Sequence, residues 1–338
     1  MFFSASPPYL ATAAGELRTV FPGAEVRRLG PDFGHVSGSL DLASVAEAAL
    51  ANRLVFVRHL TGSLAVLDRS SDPDAIAVAI LDGLVHASVS RLALQVWASV
   101  PPGSGERPDL VRRAVAERLS AAGLTVARAG ESIVASVCLT QDGVAVGLAA
   151  RDLALADWPG GRVRFRRGAE SISRAEFKLE EAIDVFGLHL PDGAALDLGA
   201  SPGGWTRILR EHGLEVWAVD PGDLAPGLSS DTGVHHVRTT AGAFLRTRTP
   251  RFSIVVNDMR MEARRSARVL VAAAERLAAD GLAVMTCKLT PQRPHEHIEA
   301  VRRIVERRYD VLHLRQLHHN RNEATLVARR LRQERASG

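Results

Sequence analysis

Of the 42 basic side chains in this 338-residue sequence, only Lys178 and Lys288 are lysine. Arginine supplies positive charge almost anywhere but holds its proton, whereas a lysine gives its proton up when its surroundings lower its pKa. Two rare amines in an arginine-rich chain therefore mark positions where proton chemistry is expected. Lys288 ends the apolar run Val284-Met285-Thr286-Cys287, Asp258 ends Ile254-Val255-Val256-Asn257, and Glu323 opens a run from Ala324. Lys178 lies on a helical stretch before a glycine-rich loop. Ligands of open α/β sheets bind beyond the carboxyl ends of the parallel strands. Asp258 and Lys288 belong at such ends, and an antiparallel last strand would bring Glu323 to the same rim. Two ammonium groups and two carboxylates would then converge, an array able to hold or move a proton at a poor nucleophile.

The second chemical signal is Leu196-Asp197-Leu198-Gly199-Ala200-Ser201-Pro202-Gly203-Gly204-Trp205. Its glycines permit a tight turn and close backbone approach to a ligand. It lacks the G-x-G-x-x-G spacing of dinucleotide sites, and Pro202 removes a donor from any N–H cradle around a pyrophosphate. A nucleoside without phosphates fits better, which points to S-adenosylmethionine. Asp220 follows about twenty residues later at the end of an apolar run, placed to accept ribose hydroxyls. The candidate cofactor contacts are Gly199, Ser201, Pro202, Gly203, Gly204, Trp205, Asp220 and Asp258.

The elements that must position these groups follow a regular β/α alternation over residues 171–332. Strands are expected at 195–198, 216–220, 235–238, 252–257, 282–287, 311–317 and 324–328, with helices over 262–279 and 294–308 among the connections. The first strands are short and apolar, as in a parallel sheet covered on both faces. The last two are joined too closely for a crossover helix and are expected to be antiparallel. Upstream, residues 1–70 read as a small α+β domain: helices at 10–20 and 43–51, strands at 24–29, 35–40 and 54–60. Residues 71–156 read as a second α+β domain. Its helix starts at Pro73 after cap candidates Ser70-Ser71-Asp72 and runs to about residue 88. A strand at 92–100 and a helix at 109–122 follow, then a hairpin of 132–140 and 144–150 around Gln141-Asp142-Gly143. Residues 157–170 form a basic linker in which Arg162, Arg164, Arg166 and Arg167 surround Phe165, able to meet phosphates.

Composition narrows the class. Hydrophobic residues at 46% and charged residues at 24% are globular proportions and exclude a disordered or fibrous chain. No apolar run reaches the ~18 residues a membrane span needs. Cys138 and Cys287 are too few for a disulfide framework, so a cytoplasmic protein is expected. The histidine pairs His235-His236, His295/His297 and His318-His319 lack the spaced ligands that would complete a metal site, and no metal is expected. A net charge of +4 fits a polyanionic partner.

Taken together, the run from Ser173 to Ala182, the glycine-rich loop, Asn257-Asp258-Met259, Lys288-Leu289 and Asn322-Glu323 resemble the FtsJ-type RNA ribose 2′-O-methyltransferases. The resemblance covers roughly residues 165–332. It is strongest to a branch acting on a cytidine of large-subunit, 23S-type ribosomal RNA, whose N-terminal region ends in an RNA-binding THUMP module. It implies a Rossmann-like class I methyltransferase domain, S-adenosylmethionine as cofactor and RNA as partner. The Lys-Asp-Lys-Glu tetrad of that family is matched by Lys178, Asp258, Lys288 and Glu323. If the two lysines fell at random among the 42 basic positions, they would occupy both tetrad slots roughly once in nine hundred draws. The implied mechanism makes Lys288 the base or aiming group for a ribose 2′-hydroxyl, with Lys178 and burial lowering its pKa while Asp258 and Glu323 pull the other way and orient the amines. One position departs from the pattern: Ala241 stands where relatives place an acid for the adenine amine. The order of elements over 71–156 is compatible with THUMP. Two other readings fit the residues: the same chemistry on transfer RNA or another RNA, and a non-catalytic RNA-binding or ribosome-assembly protein that keeps the fold.

Overall fold

The computed structural model describes residues 1–165, 168, 171–247, 250–290 and 292–332; Arg166 and Arg167 of the basic linker lie outside the described residues. The chain divides into two compact units, Met1–Val163 and Arg164–Gly338.

The first unit is built on one eight-stranded sheet. In chain order its strands are β1 (Phe2–Ser4), β2 (Glu25–Arg28), β3 (Phe33–Ser37), β4 (His59–Asp68), β5 (Arg91–Ser99), β6 (Thr125–Ala127), β7 (Ile133–Thr140) and β8 (Gly143–Ala150). They lie side by side as β2-β3-β1-β4-β8-β7-β5-β6. Helices α1 (Leu10–Val20), α2 (Leu42–Leu50), α3 (Pro73–Leu84) and α4 (Pro108–Ala121) connect them. Helix α3 starts where the sequence signals it: the Asp72 side chain accepts from Ala75 N at 2.9 Å and Pro73 fills the first turn. Its Ile76, Ile80 and Leu84 share one face and are buried with Leu92, Val115, Leu119 and Val146.

The expected division near residue 70 runs through a continuous sheet. Strand β4 pairs with β1 from His59 to Thr61 and with β8 from Gly62 to Asp68. Residues 54–60, expected as a strand, are instead an irregular buried stretch up to His59, where β4 begins. A carboxylate replaces the strand partner there: Glu16 accepts from Val55 N and Phe56 N, each at 3.0 Å. Buried backbone donors need partners but not necessarily a sheet.

The second unit carries a seven-stranded sheet. Its strands are β9 (Ala194–Leu198), β10 (Glu215–Val219), β11 (Val234–Val237), β12 (Phe252–Asn257), β13 (Leu277–Lys288), β14 (Tyr309–Arg315) and β15 (Glu323–Arg330). The order is β11-β10-β9-β12-β13-β15-β14. All neighbours are parallel except those of β15, which runs antiparallel to both β13 and β14. This is the Rossmann-like α/β architecture expected, antiparallel last strand included. Helices α5 (Glu176–Phe186), α6 (Gly204–Glu211), α7 (Pro226–Ser229), α8 (Ala241–Phe244), α9 (Ala263–Ala273) and α10 (Pro294–Val305) complete it. Leu179, Ile208, Leu209, Val216, Ile254 and Val284 form its core. The chain leaves β9 toward β10 on one side and returns to β12 on the other, which opens a crevice beyond the strand ends.

Candidate active site

The crevice holds a cavity of about 1400 Å³, larger than the ~300–1,000 Å³ of ordinary small-molecule sites. All four members of the expected tetrad line it, with Gly199, Ser201, Pro202, Gly204, Trp205, Asp220 and Ala241.

The glycine-rich loop forms the floor. Gly199 has φ 80°, and a Cβ there would strike Met259; close approach makes glycine necessary. Gly203, with φ 112°, caps α6 and is not among the cavity-lining residues; a Cβ on it would meet Leu228 instead. Trp205 touches the cavity but is only 3% exposed, and its indole N–H donates to Ala175 O at 2.7 Å. Its bond joins α6 to the start of α5. Ser201 Oγ donates to Asp223 O at 2.8 Å, and Asp220 Oδ1 accepts from Gly222 N at 2.7 Å.

The tetrad forms a closed square of alternating charge. Lys288 and Glu323 face each other across the antiparallel β13–β15 pair. Lys288 Nζ lies 2.6 Å from Glu323 Oε1 and 3.0 Å from Asp258 Oδ1. Lys178 Nζ lies 3.0 Å from Asp258 Oδ2 and 2.7 Å from Glu323 Oε2, the latter an ion pair without hydrogen-bond alignment. The four side chains are 15–24% exposed. Lys178 comes from α5, Asp258 from the end of β12, Lys288 from the end of β13 and Glu323 from the start of β15, so four elements distant in sequence fix one square.

Electrostatics correct one expectation. Burial works to lower the Lys288 pKa, yet the Asp258 and Glu323 carboxylates outweigh it and raise the amine above its ordinary value. Lys288 therefore holds its proton in the free protein, where like-charge repulsion was expected to strip it. The converse holds at Asp258: burial pushes its carboxyl up, but Lys178, Lys288 and the Thr286 hydroxyl bring it below the usual carboxylate range.

Several residues serve the site without having been singled out in the sequence. Thr286 Oγ1 donates to Asp258 Oδ1 at 2.5 Å and accepts from Lys288 Nζ at 3.1 Å. Its signal was present: Thr286 and Lys288, two apart on one strand, share a face. Asn257 Oδ1 accepts from Met259 N at 3.1 Å, shaping the turn that carries Asp258. Asp197 is buried at the cavity wall and accepts from Thr206 Oγ1 at 2.7 Å; burial raises its carboxyl to about 7. Fully buried Glu176 accepts from Ile172 N, Ser173 N and Ser171 Oγ and pairs with Arg207 at 2.6 Å, which ties the segment before α5 to α6.

The unit that carries this sheet, crevice and square matches the FtsJ-like methyltransferase family over residues 171–324. Ribosomal RNA large subunit methyltransferase M of Halorhodospira halophila is 33% identical over 300 residues, covering 86% of this chain and 84% of that protein. The like-named proteins of Methylococcus capsulatus and Azotobacter vinelandii are each 37% identical, over 185 and 198 residues; the matches cover 50% and 54% of this chain, and 51% and 54% of those proteins. The chain belongs to the ribosomal RNA large subunit methyltransferase M family.

Proposed function

We propose that the protein moves the methyl group of S-adenosylmethionine to a ribose 2′-hydroxyl of large-subunit ribosomal RNA, at a cytidine, in the cytoplasm. The observation that carries this reading is the closed Lys178–Asp258–Lys288–Glu323 square at the crevice. A purely structural ion-pair network has no need of a cavity beside it, and arginine fills every other basic position of this chain.

The cavity suits the cofactor. The backbone of Gly199 and Ala200 offers close approach, and Asp220 stands at the end of β10 for the ribose hydroxyls. Ala241 supplies no acid for the adenine amine, so backbone groups around Ala241 and Gly242 would hold that ring. When bound, S-adenosylmethionine supplies an electrophilic methyl on a cationic sulfur.

The chain's own groups do the rest. A 2′-hydroxyl is a weak nucleophile until its proton has somewhere to go. The neutral Lys288 amine would take that proton during methyl transfer. The proton then rests on Lys288 between two carboxylates, both built to receive an ammonium. Asp258 and Glu323 hold both amines at fixed separation, and Lys178 completes the square from the opposite corner. Fixed geometry is worth more here than acidity, because in-line alignment supplies much of such a barrier reduction. Residues 71–156 would act as a THUMP-like RNA-binding domain that selects the substrate.

Mapping 2′-O-methyl groups in cellular RNA with and without the gene tests the reading. One ribose methylation of large-subunit ribosomal RNA should disappear. Loss of none would favour a non-catalytic RNA-binding protein, and loss in transfer RNA would move the same chemistry to another substrate.

A further inference from the structure

Three aromatic rings gather beside the square. The Phe165 and Phe177 centroids are 6.1 Å apart and stacked, Phe165 and His319 are 5.6 Å apart and stacked, and Phe177 and His319 are 5.3 Å apart. All three side chains are partly exposed, unlike the buried Phe252 and Trp205 of the same unit. His319 lines the cavity. Its ring is held: Nδ1 lies 2.8 Å from Glu181 Oε2, and the same carboxylate, only 1% exposed, accepts from the backbone N–H groups of His318 and His319 at 2.6 and 2.7 Å.

The platform shares its supports with the tetrad. Helix α5 carries Phe177, Lys178 and Glu181, with Phe177 and Glu181 one turn apart. The connection from β14 to β15 carries His319 and ends at Glu323. Phe177 and His319 are thereby fixed to the same two segments as half of the square, across the sheet from β10 and β11, where Asp220 and Ala241 stand, and Phe165 stacks on both from the stretch before α5. Arg174 and Arg321, both exposed and without an ion pair among the described residues, also border this cavity. A flat apolar surface beside free guanidinium groups is what an unstacked nucleotide meets: a base on the rings and phosphates on the arginines.

We infer that His319, with Phe177 and Phe165, stacks the base of the nucleotide whose ribose is methylated, so that the target enters unpaired. This rests on the RNA reading above. Glu181 is then a positioning residue that fixes the His319 ring. The cofactor's adenine offers the same ring chemistry, so the test separates the two.

The experiment uses the full-length protein, calorimetric titration with S-adenosylmethionine, and methyl transfer to two RNA oligonucleotides. One contains the mapped target nucleotide; the other has an abasic ribose at that position. His319→Ala and Phe177→Ala should each raise KM for the intact RNA on the order of ten- to a hundredfold, with S-adenosylmethionine affinity unchanged and kcat much less affected. His319→Phe, which keeps a ring, should recover most of the loss. On the abasic RNA the wild-type protein should already be impaired, with little added loss from His319→Ala. Additive losses, no rescue by His319→Phe, or weakened S-adenosylmethionine binding in place of weakened RNA binding would each overturn the platform. Failure of the wild-type protein to methylate any ribose would overturn the underlying reading instead.

Discussion

Lys288 sits in surroundings that favour its proton, and this fixes how rate should depend on pH. The carboxylates of Asp258 and Glu323 raise its pKa above the ordinary ~10.4 of lysine. The neutral amine is then a minority form that grows tenfold per pH unit, and log kcat/KM should rise with a slope near one between pH 6 and 9. A flat profile over that range would show that Lys288 only aims the hydroxyl. Stability moves differently. The raised Lys288 pKa contributes stability that is whole below its ordinary value and lost as pH climbs through the raised one. The depressed Asp258 pKa contributes stability present above ~3.9 and lost as pH falls through its lower value. The square is therefore intact throughout the range in which the rate is measured. Thr286 touches both groups from a buried position. Thr286→Val should cost about 1–3 kcal/mol in urea unfolding and also lower kcat. A stability loss with full kcat would limit Thr286 to a structural role.

At the scale of elements, the second unit was the more legible part of the chain. Six of its seven strands were expected to within about two residues, because short apolar runs covered on both faces have few alternatives in an alternating β/α pattern; β13 starts at Leu277, five residues before the expected 282 and inside the helix expected over 262–279. The antiparallel β15 followed from a connection too short for a crossover, and with it the placement of Glu323 opposite Lys288. The first unit was harder. Strands β1 and β6 have three residues each, too few to show a period. β4 was hidden because Gly62 and Ser63 dilute its pattern and its outward Leu64 and Val66 remain exposed. The apolar run just before it took its donors' partners from Glu16, a residue some forty positions away that no local pattern reveals. Similar long-range partners hold the site. Glu176, buried on α5, binds three groups of the preceding segment and Arg207 of α6. Glu176→Ala would leave Arg207 with only the exposed Glu211 as its partner and three donors of the preceding segment without their acceptor, and should cost roughly 1–3 kcal/mol. The loss should appear as a lower thermal midpoint, with S-adenosylmethionine restoring part of it. An unchanged midpoint would mean that Trp205 alone holds α5 to α6.

The whole molecule carries two sheets, one in each compact unit. The second unit has its own core and all residues of the candidate site. Residues 164–338 produced alone should therefore bind S-adenosylmethionine with near-full affinity, while kcat/KM for large-subunit ribosomal RNA falls at least tenfold if the first unit selects the substrate. Equal efficiency of the fragment would remove that role from residues 1–163. The two lysines were the most readable chemistry in the sequence, but their electrostatics were not. Composition singled out the two amines, whereas the balance of burial against two carboxylates exists only in the folded square. The account is tested most directly by Lys288→Arg, which keeps the charge while removing a group able to lose its proton. With in vitro transcribed large-subunit ribosomal RNA and methyl-labelled S-adenosylmethionine, mass spectrometry of the digested nucleosides should find a 2′-O-methylated ribose from the wild-type protein. The variant should bind S-adenosylmethionine normally and form that product about 10²–10⁴ times more slowly. Near-normal transfer by the variant, or a methyl group on a base in place of the ribose, would contradict it.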